Sequence, residues 1–453
     1  MDADRKKRLT ELGLEALADA LLELAVRVDV ADDLVERLIS TPKENTRRYK
    51  AKLADLKRRQ RFISWDESDA FAHELIMILE DLKSGVDDSR TGVKLAAAFY
   101  RTDSAAFEQC DDSGGTVGDV FRFDAKELFV SYASRCQDKQ WLSQLVFDLN
   151  REDDYGVRDI LVDCAGNYLP ESMIRNLIER FQTAADKETD EYGKCHWLLR
   201  VESLARQIKD APLFEKTRLA SWGKLSAAAY VDIARVYLES DDAETALSWL
   251  QRLPPEEIFQ AHEKDQLLLE IHGKMGDTHE QAEVAWRIFR RHRSAHALAD
   301  LLKVIGQDQK DRVIETEVDS ILANPSLSDS AAIFLVEMDH LDAAETYLLD
   351  RADQLNGDFY GRLHSLAETM EQAGRQLCAS VLYRALLDSI LRRAKSKAYV
   401  HGVRYLKKLD RLAKSVSDWR GFENHRTYME NLRQQHGRKR SFWPRYEKLS
   451  TVF

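Results

Sequence analysis

Turn-forming residues are scarce in this 453-residue chain, which has 19 glycines and seven prolines, about half the usual combined share. Strands need frequent reversals, and reversals draw on glycine and proline. The scarcity excludes a sandwich, a barrel and a Gly-rich nucleotide-binding fold. Long apolar runs are also missing: no stretch approaches the ~18 residues that span a bilayer. The opening Met1-Asp2-Ala3-Asp4-Arg5-Lys6-Lys7-Arg8 leads into a Glu-containing amphipathic segment instead of an apolar signal region. The expected location is the cytoplasm. Cysteines are few and odd in number (Cys110, Cys136, Cys164, Cys195 and Cys378), the pattern of reduced thiols and not of a disulfide framework.

What the chain has in quantity is charge and aliphatic bulk, 32% charged and 44% hydrophobic residues. That balance suits amphipathic helices, each with one apolar stripe and an otherwise solvated surface. Leu9, Leu12, Leu14, Leu21, Leu22, Leu24, Ala25 and Val28 fall on a broad helical stripe. Leu34, Val35, Leu38 and Ile39 mark a short second helix, which Thr41-Pro42 interrupts. Further helices are expected at Val93–Tyr100, Ala125–Ser134, Lys139–Leu149, Val157–Tyr168 and Ser172–Ala185, with Leu169-Pro170-Glu171-Ser172 as a tight turn. The predicted fold class is all-α, a solenoid of antiparallel helix hairpins with helix content near ~70%, against a norm of ~30–35%. Pro212 and Gly223 bracket a less periodic patch at Ala211–Trp222. The expected division is a helical-hairpin domain over 1–210, repeats over 224–412 and a basic helical tail over 413–453.

Three segments share one spacing of small and large residues: Ala234, Tyr237, Ala246, Leu250; Ala331, Phe334, Ala343, Tyr347; and Ala367, Met370, Ala379, Tyr383. Paired helices approach closely where each presents alanine, and the large residues fill the space beside the contact. Asp241-Asp242, Asp339 and Gly374 sit at the intervening turns, and Gly276-Asp277 marks a fourth. The pattern resembles tetratricopeptide repeats, most closely at Tyr230–Tyr237 and Ala243–Leu250 followed by Pro254-Pro255. The resemblance covers Leu225 to about Leu412 and implies a partner-binding concave face, to which Arg235 and Glu368 would contribute. Val381–Leu387, Ala398-Tyr399 and Tyr405–Leu409 look like the C-terminal helices of bacterial SWIM zinc-finger proteins, and the whole chain looks like a bacterial family related to them. The finger's Cys-x-Cys and Cys-x-His are absent, so no zinc site is implied.

No catalytic pattern emerges. His73-Glu74-Leu75-Ile76-Met77 has methionine where a zinc protease needs its second histidine. His292 and His296 are four apart and could share a helical face, but no carboxylate completes a ligand set. Asp111–Asp119 contains Gly114-Gly115 and could present amides to an anion, yet it lacks the lysine-threonine ending of a phosphate loop and reads as a connector. Acid pairs such as Asp32-Asp33, Asp153-Asp154 and Asp241-Asp242 fall where carboxylates cap helix starts. No cofactor or metal is expected.

Charge is uneven. The net charge is −11, yet residues 391–453 carry 17 basic and 5 acidic side chains, leaving an acidic body with a basic tail. Two segments join cations to aromatics. In one, Arg47, Arg48, Arg58, Arg59 and Arg61 stand among nine basic residues between Lys43 and Arg61, followed by Phe62 and Trp65. In the other, over 433–448, Arg438, Lys439 and Arg440 precede Phe442, Trp443 and Tyr446. Cations neutralise phosphates and aromatics stack on unpaired bases, the mixture that binds single-stranded nucleic acid. The leading expectation is an interaction scaffold of a bacterial cytosolic complex that takes another protein or peptide and no membrane. A nucleic-acid-binding regulator or defence component using 43–61 and 433–448 is the alternative.

Overall fold

In a computed structural model that describes residues 2–59, 61–254 and 258–450, the chain is 77% helical. Sequential helices pack as adjacent pairs, in the manner of an all-α solenoid. Among the described residues the only β-pairing is an isolated bridge between Ile63 and Cys110. The chain divides into two compact units, Met1–Phe259 and Gln260–Phe453. The hairpin of helices Ala227–Glu239 and Ala243–Gln251, expected to open the repeat array, belongs to the first unit. Ala211–Trp222 is a regular helix instead of an irregular patch. Pro212 sits in its first turn, where no amide is needed, Asp210 caps it, and Gly223 ends it at φ +58. Pro255 lies outside the described residues.

Proline also starts helices elsewhere. At Thr41-Pro42 the break is a capping box: Thr41 Oγ1 accepts from Glu44 N, and Glu44 Oε2 accepts from Thr41 N at 2.8 Å, opening the helix Pro42–Arg58. The first unit's core gathers Phe99, Tyr100, Phe121, Phe129 and Tyr168. A π-turn over Val120–Ala125 directs Phe121 inward, where its ring meets Phe99 at 5.0 Å and its carbonyl accepts from Tyr100 Oη at 2.8 Å. The helix expected over Val157–Tyr168 is only Asp159–Asp163 plus one 3-10 turn. Gln207, from the neighbouring helix Glu191–Gln207, holds this break: its Nε2 donates to Val162 O and its Oε1 accepts from Gly166 N. Asp103 and Arg158, both buried, form a bidentate pair at 2.7 and 2.6 Å beneath it.

One turn recurs. At Lys209, Asp241, Gly276, Asp339 and Gly374 the backbone enters the left-handed region. In each case the next amide donates to the carbonyl five residues back: Asp210 to Ala205, Asp242 to Tyr237, Asp277 to His272, His340 to Leu335 and Arg375 to Met370. Asp210, Asp242 and Asp277 then cap the following helix through their side chains. Four of these turns lie where the sequence places them; the Lys209 turn carries no glycine or aspartate at its left-handed residue to announce it. Of the twelve packing positions read from the sequence, all but Ala343 are buried. Ala343 is half-buried and Ala344 fully buried, a one-residue slip of register in the helix Leu341–Asp350.

Two sets of variants test this packing. Ala246→Leu, Ala379→Leu and Ala344→Leu should each cost ~1–3 kcal/mol through overpacking, while Ala343→Leu should cost clearly less; chemical denaturation measures all four. Asp103→Ala, which strands a buried guanidinium, should cost ~3–5 kcal/mol.

Candidate functional site

The basic segment 43–61 folds mainly into the helix Pro42–Arg58, and five of its nine cations meet the protein's own carboxylates. Arg48 reaches Asp33 at 3.0 Å and Glu36 at 3.8 Å. Lys52 bridges Asp33 at 2.8 Å and the buried Asp81 at 2.9 Å, which Arg37 also approaches. Arg58 pairs with Asp55 at 2.7 Å and Arg61 with Glu67 at 2.6 Å. Arg59 makes two hydrogen bonds to Glu74 and lies over the Phe71 ring; the Glu74 bonds push its guanidinium further up against the opposing effect of burial. Arg47, Phe62 and Trp65 remain exposed.

The second basic segment does not present its aromatics. Phe442 and Trp443 are buried in the second unit's core, and the Trp443 indole donates to His436 O at 2.9 Å with Arg433 over its ring. Trp443 was a candidate for base stacking; as a core residue it offers no free face. Tyr446 Oη donates to Asp410 at 2.8 Å. Arg438 and Arg440 are exposed and Lys439 half-buried. The segment after 412 is thus an integral part of the second unit. Its anchor, missed in the sequence, is Arg384, whose guanidinium lies between the Trp419 and Tyr428 rings at 4.6 and 4.4 Å and donates to Glu423 O. An arginine inside an apolar helical stripe, Val381–Leu387, was the available signal.

Asp111–Asp119 is a connector whose own carboxylate occupies the amides. Asp112 accepts from Val117 N and Gly118 N, both at 2.9 Å, so no anion cradle is open there. Among the described residues no group of His, Cys, Asp and Glu is arranged to hold a metal ion, and no helix is long and apolar enough to cross a membrane.

The residues carried over from the repeat pattern lie in different units. Arg235 is half-buried in the first unit, on the helix face it shares with Asp232 and Glu239. Those two carboxylates pair with Arg218 at 3.2 Å and Arg206 at 2.5 Å, and the two arginines line a cleft of about 440 Å³ together with Arg200, Glu202 and Phe214. Burial pushes the Glu202 carboxyl up, against the pull of Arg218 at 2.7 Å.

In the second unit Glu368 belongs to a network between the helices Tyr360–Gln372 and Tyr399–Leu412. Lys408 Nζ donates to Tyr383 Oη at 2.7 Å, Glu371 at 3.0 Å and Glu368 at 3.3 Å, while Tyr383 Oη donates to Glu371 at 2.8 Å and Arg411 pairs with Glu371. Burial raises the Glu371 carboxyl, but the Lys408 and Tyr383 hydrogen bonds and the Lys408 and Arg411 charges outweigh it, leaving the group below the ordinary glutamate range. A chain of rings runs over this network: Tyr360 stacks on His364 at 5.4 Å and meets His401 edge-on, His364 meets Tyr405, and Tyr405 stacks on Tyr383. Tyr360, His401 and Arg404 are exposed at its outer end. Sequence reading reached Glu368 but not its companions, because tyrosine and histidine at helical spacing read equally well as core.

The chain belongs to the Family of unknown function (DUF6880), whose model matches residues 5–222 and 223–445. No curated protein matches it.

The Glu371 network carries a signed pH dependence. A carboxylate held below its ordinary value stabilises the fold fully above the unfolded glutamate value of ~4.3, and this contribution fades as pH falls through the lower folded value. Glu371→Gln should therefore lower stability at neutral pH and flatten the acid limb of the stability–pH curve, as measured by denaturation across that range.

Proposed function

We propose that this family member is a protein–protein interaction scaffold, a tetratricopeptide-like array of helix hairpins in a bacterial cytosolic complex. The observation that carries the reading is the ring cluster of exposed Tyr360 and His401 with half-buried His364, seated on the Lys408 network where two helices lie side by side. Tyrosine offers a large amphipathic contact surface and is enriched at interfaces. The fixed carboxylates below hold the helices in place before any partner arrives, which limits the ordering cost of binding. Arg404, one turn along from His401, adds positive charge and suits a partner segment with acidic side chains. Arg235, on the face that carries the Asp232–Arg218 and Glu239–Arg206 pairs, would serve the first unit in the same way. The kinship with SWIM zinc-finger proteins belongs to this reading through the helices at 381–409 alone, and the reading assigns no catalytic role.

The nucleic-acid alternative draws on exposed Phe62 and Trp65 beside Arg61, and on exposed Arg438 and Arg440. It is weakened by the internal pairing of Arg48, Lys52, Arg58, Arg59 and Arg61 and by the burial of Trp443.

Affinity purification from the native host with mass spectrometry separates the two. A protein partner should survive nuclease treatment and be lost from a Tyr360→Ala/His401→Ala variant that folds like the parent. Single-stranded RNA or DNA should bind no more tightly than the ~10⁻⁴–10⁻⁶ M of non-specific association at physiological salt. A dissociation constant below ~10⁻⁷ M, with a salt slope flattened by charge reversal at Arg438, Lys439 and Arg440, would reverse the assignment.

A further inference from the structure

The helix Leu14–Ala25 has no buried residue. At 100° per residue its leucines and alanines occupy an arc of about 240°, and only Leu17, Leu21 and Ala25 are even partly covered. Leu14 is 89% exposed, Leu22 55% and Leu24 49%, and the apolar surface continues through Leu9 and Leu12 before it and Val26 after it. A helix apolar over so wide an arc is ordinarily buried, and a contiguous exposed patch of this kind marks an interaction surface.

The charges around the patch identify what covers it. The narrow polar edge of Leu14–Ala25 holds Glu15, Asp19 and Glu23 spaced four apart, with Glu23 paired to Arg27 at 2.5 Å. The preceding helix, Asp2–Thr10, is basic, with Arg5, Lys6, Lys7 and Arg8 all exposed. An acidic edge is repelled by anionic lipid headgroups, whereas interfacial membrane helices carry lysine and arginine there. One arm holding an acidic helix and a basic helix in succession is complementary to itself. Helix Asp29–Ile39 packs beside the partly covered Leu17, Leu21 and Ala25 stripe, and a two-fold axis would set the basic helix of each copy against the acidic edge of the other, beside the exposed flank that holds Leu14 and Leu22, as an isologous interface requires.

We propose that residues 4–28 form a homodimerisation arm whose occupant is the same arm of a second copy of this chain. Sedimentation equilibrium of the full chain tests it. The protein should show the mass of two chains, and Leu14→Glu/Leu24→Glu should reduce this to one. Two further variants guard against simple loss of the helix. One reverses the acids (Glu15→Lys, Asp19→Lys, Glu23→Lys), the other the bases (Arg5→Glu, Lys6→Glu, Lys7→Glu, Arg8→Glu). Each alone should be monomeric, and an equimolar mixture should regain the mass of two chains, because each cross-pair is again opposite in sign. A monomeric parent, charge-reversed variants that stay dimeric, or a mixture that stays monomeric would overturn the proposal. So would a parent that remains a single chain and sediments with vesicles of phosphatidylserine and phosphatidylcholine.

Discussion

Paired helices pack closely only where the chain reverses tightly between them. Here that constraint is met by a left-handed residue followed by an amide that returns to the carbonyl five residues back, repeated at Lys209, Asp241, Gly276, Asp339 and Gly374. The turn satisfies end carbonyls that would otherwise be orphaned. Where the next residue is aspartate, its carboxylate starts the following helix at once. Aspartate is among the few residues that tolerate the left-handed region, so the chain can make these reversals with little glycine. The alanine contacts depend on the turn, because they need the two helices to leave it at a fixed distance.

Charge performs a second structural task. The cations of 43–61 tie helices together: Lys52 reaches a buried aspartate and Arg59 grips Glu74. Exposed pairs such as Arg58–Asp55 contribute little, typically ~0–1 kcal/mol, whereas the buried Asp103–Arg158 pair cannot lose one member without leaving a charge in a low-dielectric core. Arg384 docks the C-terminal segment by presenting its guanidinium to two aromatic faces. Part of each basic segment is thereby engaged within the protein, while Arg47, Arg438 and Arg440 stay exposed.

The surfaces left for function are those where neither constraint is at work. The Tyr360–His364–His401 cluster rests on a network satisfied from below and exposes rings above it. The arm over residues 4–28 lies outside both apolar cores and leaves Leu9, Leu12, Leu14, Leu22 and Leu24 exposed. A rigid ring cluster suits selective contact, and an apolar arm with segregated charge suits self-recognition.

The sequence by itself determined the all-α class, the alanine register at eleven of twelve positions and four of the five recurring turns. These are local properties: a 3.6-residue period and a turn residue's conformational range are written in neighbouring letters. It could not determine that Lys52 meets Asp81, that Trp443 is core or that Glu368 shares Lys408 with Glu371, because each pairing joins residues far apart in the chain. Nor could it tell that Ala344 replaces Ala343 at the contact, since two adjacent alanines satisfy the same spacing. Whether a cation faces solvent or a carboxylate, and whether an aromatic is platform or filler, is decided by which helix packs beside it, and only the tertiary structure supplies that neighbour.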